Sequence, residues 1–270
     1  MTTITGKYPK VTLLGAGPGD PELLTLKAVK ALNDADVVLY DSLVNVEILK
    51  HANRALLVFV GKRKGNHSHT QDEINEMIVN YAKEFGHVVR VKGGDPFVFG
   101  RGKEEEIYAQ ECGIETEIIP GISSSVAVPA SVGIPVTARG VAESFWVITG
   151  TTSDRELSKD LSLAAQSTAT VIVLMGMSKL AEIAQIYKSV GKADLPVAII
   201  QDGTKSEQKE VVGTIENILE ISQKQGIGAP AGIVIGEVVH LAKGRTAVKE
   251  DWVLEDEFIF QNLNTLPFIN

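Results

Sequence analysis

Cysteine is nearly absent: the 270 residues contain one, Cys112. A lone thiol can close no intramolecular disulfide and build no cysteine-rich metal site, and such scarcity fits a reducing compartment. Within YAQECGIE, Cys112 reads as a small half-buried residue at a helix end, not as a nucleophile. Long apolar runs are missing too. No stretch approaches the ~20 residues that a spanning helix needs, and the opening MTTITGKYPK lacks the basic-then-apolar order of a secretory signal. No membrane association is expected, and the cytoplasm is the expected location. Positive charge is in deficit, with 26 Lys and Arg against 34 Asp and Glu and a net charge of −8. This excludes a broad polyanion-binding face, so no nucleic-acid partner is expected. An acidic small molecule needs only a locally basic pocket, and GKRKG (61–65), FGRG around Arg101 and TARG around Arg139 can supply one. No metal site is expected.

With 44% hydrophobic residues the chain can build one large core or two modest ones, and its length favours two. Short Val/Ile/Leu runs alternate with amphipathic stretches, the signature of a mainly parallel sheet covered by helices. Strand candidates in the first half are VTLLGAG, ADVVLYD, ALLVFVG, HVVRVKGGD and TEIIPG. Helices are expected over Pro21 to Leu32, with Asp20 as N-cap and Pro21 at the first position, and over Gln71 to Phe85 after Thr70. After GIPVTARG the pattern restarts with SFWVITGT, TVIVLMGM, PVAIIQDGT, KEVVGTI and GIVIGEVV, and with helices over Lys179 to Val190 and Ile215 to Gln225. Only a short polar loop separates PVAIIQDGT from KEVVGTI, so an antiparallel pair and a mixed sheet are expected there. The expected division is an N-terminal α/β domain over 1–137, a C-terminal α/β domain over 138–245 and a tail over 246–270 without assigned chemistry.

Three glycine-rich stretches follow strands. GAGPGDP (15–21) lets the backbone turn sharply and offers the N–H groups of the following helix to a ligand. It also resembles a dinucleotide fingerprint, with Asp41 as the matching ribose acid. Pro18 inside the loop counts against that reading, because an N–H aimed at pyrophosphate is lost. VKGGDPFVFGRG (91–102) makes an exposed-backbone turn with a fixed carboxylate, Asp95, suited to a ribose or an aminoacyl group; a plain capped turn explains it equally well in isolation. IIPGISSS (118–125) taken alone is a glycine turn into a helix capped by Ser123.

Together with VVLYDSLV, VGKRKG, GIPVTARGVA, LMGM and IQDGT, these strings stand in the order and approximate spacing of the uroporphyrinogen III C-methyltransferases of the tetrapyrrole methylase family. The chain resembles that family over roughly residues 9 to 241. The resemblance implies a two-domain tetrapyrrole methylase fold, a homodimer, and S-adenosyl-L-methionine as methyl donor, leaving as S-adenosyl-L-homocysteine. It implies uroporphyrinogen III as acceptor, methylated at positions 2 and 7 to precorrin-2, on the way to sirohaem or cobalamin. Carried over position by position, it puts the donor on Pro18, Gly93, Gly94, Asp95, Val98, Ser123, Ser124, Met175, Gly203 and Ala231. It makes Asp41 the general base and Lys62 a proton donor or substrate-charge partner. The substrate has eight carboxylates, and Arg63, Arg101 and Arg139 are, with Lys62, the motif-borne cations available to meet them. A free lysine is mostly protonated near neutral pH, so charge pairing is the simpler task for Lys62.

The sequence departs from the family in two places. Ala138 in GIPVTARG stands where many members carry histidine, so the protein does without that group or uses His67 or His69 in its place, and Ser123-Ser124 replaces a common Thr-Ala pair. Competing readings are a later precorrin methylase, a relative acting on diphthamide or ribosomal RNA, a nicotinamide oxidoreductase, or a non-catalytic ligand sensor on the same scaffold. The long GGDPFVFGRG and VGKR strings favour the uroporphyrinogen branch, the negative charge disfavours RNA, and an oxidoreductase leaves KGGDPFVFGRG and PGISSS unexplained.

Overall fold

In the computed structural model, residues 6–61 and 69–242 are described. The ten expected strands all form, and they divide into two five-stranded sheets. The first contains β1 (Lys10–Gly15), β2 (Val37–Tyr40), β3 (Leu56–Phe59), β4 (His87–Lys92) and β5 (Glu115–Ile119), ordered β3-β2-β4-β1-β5 with every neighbouring pair parallel. A parallel sheet needs cover on both faces, which is why these strands read as near-continuous apolar runs. On one face α1 (Leu26–Asn33) and a 3₁₀ turn at Val46–His51 pack Ala28, Leu32 and Ile48 against Val89 and Val91. On the other, α2 (Gln71–Phe85) and α3 (Gly102–Glu111) pack Ile78, Ala82 and Ala109 against Leu13 and Val88.

The second sheet is mixed, as expected. Its strands β6 (Phe145–Thr149), β7 (Thr170–Leu174), β8 (Pro196–Gln201), β9 (Lys209–Thr214) and β10 (Ala231–Ile235) lie in the order β6-β7-β10-β8-β9. Only β6 and β7 run parallel; β8 and β9 form the expected antiparallel pair. One face is covered by α5 (Asp160–Ala164), α6 (Leu180–Ser189) and α7 (Ile218–Lys224). The other is covered by α4 (Ser124–Ser131), which sends Val128 from the N-terminal part of the chain into a cluster with Ile172, Ile200 and Val234.

The starts of α1, α2 and α4 follow capping residues. Thr70 and Glu73 form a reciprocal capping box at α2, and Gly86 ends that helix at φ 117°. The helix expected over Pro21 to Leu32 is instead two pieces, because two caps compete. Asp20 Oδ1 accepts from Glu22 N at 2.8 Å and starts a 3₁₀ turn at Pro21–Leu23; Leu24 is extended, and Thr25 Oγ1 accepts from Ala28 N to start α1 afresh. Helix α7 begins three residues later than Ile215, since Asn217 Oδ1 accepts from Thr214 N at 2.8 Å and holds that segment in a turn. None of the described helices is long and apolar enough to cross a membrane. The tail over 246–270 lies outside the described residues.

Candidate functional site

In an open parallel sheet the carboxyl ends of the central strands are where loops diverge and ligands find a crevice. Here β4, β1 and β5 lie side by side, and all three glycine stretches leave from their carboxyl ends. Gly17 N donates to Gly94 O at 3.2 Å and Gly94 N to Gly17 O at 2.7 Å, joining the Pro18 loop to the Gly93-Gly94 loop. Asp95 closes its own turn through Phe97 N at 2.8 Å and clamps the third loop through Gly121 N at 3.1 Å. The clamp is tight: a Cβ on Gly121 would lie 2.2 Å from Gly94 O and 2.7 Å from the Gly15 backbone. Gly94 differs. At φ 65° it occupies left-handed space, and a side chain there would meet nothing closer than Ser124 N at 3.6 Å, so one side of the loop is open.

The loop after β2 joins the same end of the sheet. Gly93 has room for no side chain because Leu43 Cβ would sit 2.9 Å away, and Asn45 Nδ2 donates to Gly19 O at 2.8 Å. Asp41 is thereby brought beside the glycine loops. Its Oδ1 accepts from Leu43 N at 3.0 Å, and its Oδ2 accepts from Arg90 Nη2 at 3.1 Å. Behind it lies a group of charges that sequence reasoning missed: Arg90 and Lys92, both buried, converge on the fully buried carboxylate of Glu105. Burial, and then repulsion from Arg90, hold the Lys92 ammonium below the ordinary lysine value, while Glu105 acts the other way. The signal was present in HVVRVKGGD: two cations two residues apart point to one face of a strand whose other positions are valine, in a sheet covered on both sides.

At the second sheet, Met175 follows β7, Gly203 follows β8 and Ala231 starts β10, and the antiparallel pairing of β10 puts all three at one edge. Met175 is exposed at φ 57°, with its carbonyl held by Thr151 Oγ1 at 3.0 Å. Gly203 is packed against Val128 of α4, where a Cβ would meet the valine at 2.6 Å. The halves touch through Asp20 N, which donates to Thr204 Oγ1 at 3.0 Å. A cleft of about 460 Å³ opens along this seam, lined by Asp20, Leu23, Ile122, Ala127, Thr204 and Lys205; none of the expected donor residues lines it.

The remaining expected residues are placed as follows. Ser123 caps α4 through Ser125 N, with Ser124 as its first residue; Val98 N closes the turn onto Asp95 O. Arg101, at φ 58°, is exposed and already held by Glu104, with Nη2 to Oε2 at 2.5 Å. Arg139 is exposed beside the Ala138–Ala142 bridge and is not brought to Asp41 by any contact among the described residues. His69 lies 3.8 Å from Glu73. Lys62, Arg63 and His67 lie outside the described residues; Gly61, just before them, packs against Ser42 N. Among the described residues no three His, Cys, Asp or Glu are grouped as metal ligands.

These features meet in one family. The chain belongs to the Tetrapyrrole (Corrin/Porphyrin) Methylases, whose model matches residues 10–219. It is 47% identical over 235 residues to the uroporphyrinogen-III C-methyltransferase of Methanocaldococcus jannaschii, covering 86% of this chain and 97% of that one. It is 46% identical over 244 residues to the S-adenosyl-L-methionine-dependent uroporphyrinogen III methyltransferase of Methanosarcina barkeri, covering 88% and 95%. In structure it is similar to uroporphyrin-III C-methyltransferase from Thermus thermophilus complexed with S-adenosylhomocysteine, with a TM-score of 0.74, 37% identity, and coverage of 86% and 99%.

Proposed function

We propose that the protein transfers two methyl groups from S-adenosyl-L-methionine to carbons 2 and 7 of uroporphyrinogen III, forming precorrin-2 for sirohaem or cobalamin synthesis. The observation that carries this reading is the convergence of three strand-end loops, two tied backbone to backbone at Gly17 and Gly94 and the third held at Gly121 N by the Asp95 side chain, beside a carboxylate held at Asp41. The near relatives named above supply the substrate class. The residues present fit such a donor. Gly94 leaves an open, left-handed backbone edge, Ser124 stands next to it with Ser123 capping the same helix, and Met175 offers an exposed thioether at the edge of the second sheet. In this reading residues 1–137 bind the acceptor and part of the donor, and residues 138–245 supply the other part. A homodimer is proposed from the family resemblance and from large exposed apolar side chains such as Leu26 and Val46; the cytoplasm is proposed from the single cysteine.

When bound, the donor supplies an electrophilic methyl group on a sulfonium, open to direct displacement by an electron-rich pyrrole carbon. The chain's part is to hold the two reactants in line and to exclude water, which can remove ~7–11 kcal/mol of barrier. The loops that would do so pack closely, with backbone against backbone at Gly15, Gly94 and Gly121 and the Asp95 carboxylate pinning the third loop. Alkylation leaves a cationic macrocycle that must lose a proton. Asp41 is the proposed acceptor, since its carboxylate is 24% exposed while its inner side is anchored to Arg90. Lys62, Arg63, Arg101 and Arg139 are proposed for the substrate carboxylates; Arg101 would exchange Glu104 for one of them. The anchoring of Asp41 by Arg90 and Leu43 N also counts against the oxidoreductase reading, in which this carboxylate must turn to a ribose.

The test is incubation of the purified protein with anaerobically prepared uroporphyrinogen III and radiolabelled donor, followed by mass analysis of the oxidised product. A gain of two methyl groups is the expected result. Donor binding by calorimetry without transfer would move the acceptor to a later corrinoid or to another molecule.

A further inference from the structure

Arg90 and Lys92 sit in the central strand of a parallel sheet, where a charge taken from water costs several kcal/mol unless it is paired. Each of the three guanidinium nitrogens of Arg90 has a partner. Nε faces Glu105 Oε1 at 3.4 Å, Nη1 donates to Val91 O at 2.7 Å, and Nη2 donates to Asp41 Oδ2 at 3.1 Å. Glu105 Oε1 also accepts from Lys92 Nζ at 2.8 Å and from Gln71 Nε2 at 3.1 Å, and the same Gln71 nitrogen donates to Asn75 Oδ1 at 3.0 Å. Two cations and two carboxylates therefore form one neutral group running from the α2–α3 side of the sheet to its carboxyl edge. Exposure rises along it. Glu105 is 0% exposed, Arg90 4% and Asp41 24%, so the group meets solvent at Asp41.

A hydrophobic pair of the same volume would stabilise the sheet as well or better, so cohesion alone does not account for these residues. We propose that Arg90 is a positioning residue for methyl transfer: gripped from behind by Glu105, it fixes the carboxylate of Asp41 in one orientation facing the acceptor. This rests on the assignment of Asp41 as proton acceptor. The guanidinium fork suits the task because three separate nitrogens reach three fixed partners, whereas a lysine has one nitrogen to share among them. With Oδ1 held by Leu43 N and Oδ2 by Arg90, rotation of the carboxylate breaks a hydrogen bond in either sense. Arg90 itself, buried below Asp41, acts on the reaction through that carboxylate.

The experiment compares wild type, Arg90→Lys, Asp41→Asn and the double variant. The readouts are thermal unfolding, S-adenosylhomocysteine affinity by calorimetry, and kcat and KM with uroporphyrinogen III. Arg90→Lys is expected to lower kcat by about 10-fold or more, in line with the cost of a misplaced reacting group, with donor affinity and acceptor KM within about 2-fold of wild type. In the Asp41→Asn background the same change is expected to lower kcat by less than about 2-fold, because the group on which Arg90 acts is gone. Wild-type kcat in Arg90→Lys, or the same fold-loss in both backgrounds, overturns the proposal. Full turnover in Asp41→Asn instead overturns the role of Asp41, and Arg90 with it. If the lysine variant does not fold, Glu105→Gln, which preserves shape and removes the charge behind Arg90, carries the same comparison.

Discussion

Replacing Gly121 by alanine tests the loop junction directly. The added Cβ would stand 2.2 Å from Gly94 O and 2.7 Å from Gly15 Cα, and the three atoms nearest to it are all backbone. An ordinary contact needs roughly 3.4 Å or more, so the third loop must retreat by about 1 Å from the other two. The retreat would break the Asp95 Oδ2 to Gly121 N hydrogen bond and shift Ser123 and Ser124 away from Gly94. Overpacking of this kind costs about 1–3 kcal/mol of stability, and a 1 Å error in placing reactants costs on the order of 10²-fold in rate. The assay is kcat/KM for methyl transfer, with donor Kd by calorimetry and a thermal melt alongside. Gly113→Ala is the control: it also has positive φ, at 75°, but has nothing within 4 Å of the added atom. It should lose about 1 kcal/mol of stability from backbone strain and leave donor affinity unchanged. If Gly121→Ala binds donor and turns over like wild type, the three loops do not form the donor cradle.

Asp41→Asn at saturating donor should lower kcat by about 10²–10⁴-fold while donor Kd stays unchanged; full turnover sinks the general-base assignment. Burial holds His87 below the ordinary histidine value, its ring lying between Thr12 Oγ1 at 2.8 Å and Asp34 O at 3.2 Å. Its contribution is therefore complete above about pH 6.5 and shrinks as pH falls, because the unfolded chain then takes up the proton more readily. The denaturation midpoint of His87→Gln should fall less between pH 7 and pH 5 than that of wild type, and parallel curves would refute this. Tyr187 is 1% exposed, and its hydroxyl meets no partner among the described residues. Tyr187→Phe should be neutral or stabilising by up to about 1–3 kcal/mol; a clear drop in melting temperature would reveal a partner.

The fold was legible where local rules and burial agree. PVAIIQDGT and KEVVGTI pair as their short loop suggested, and Thr70 marked the start of α2 to the residue. The helix after Gly19 was misread because Asp20 and Thr25 are both good caps, and only the packing of Ala28 and Leu32 on the sheet decides where the α-helix starts. At the site, the glycine strings marked three loops that the structure brings together but not how they touch: nothing in the sequence shows that Gly121 presses on Gly94. Arg90, Lys92 and Glu105 stayed hidden because none belongs to a glycine-rich string and their meaning lies in a strand face and a helix face brought together by the connection from β4 to α3.

The strand order β3-β2-β4-β1-β5 has a consequence for synthesis on the ribosome. β1 emerges first, yet both of its edges are reserved: Lys10 pairs with His87 on one side and with Glu115 on the other. Until those distant segments have been translated, an apolar strand bearing Leu13 and Leu14 has two open rows of hydrogen-bonding groups and no partner of its own. Parallel sheets closed by such remote pairings fold slowly, and nascent chains in this state are prone to aggregate. Truncation before residue 115 should therefore yield a chaperone-dependent, insoluble fragment, not a smaller stable domain.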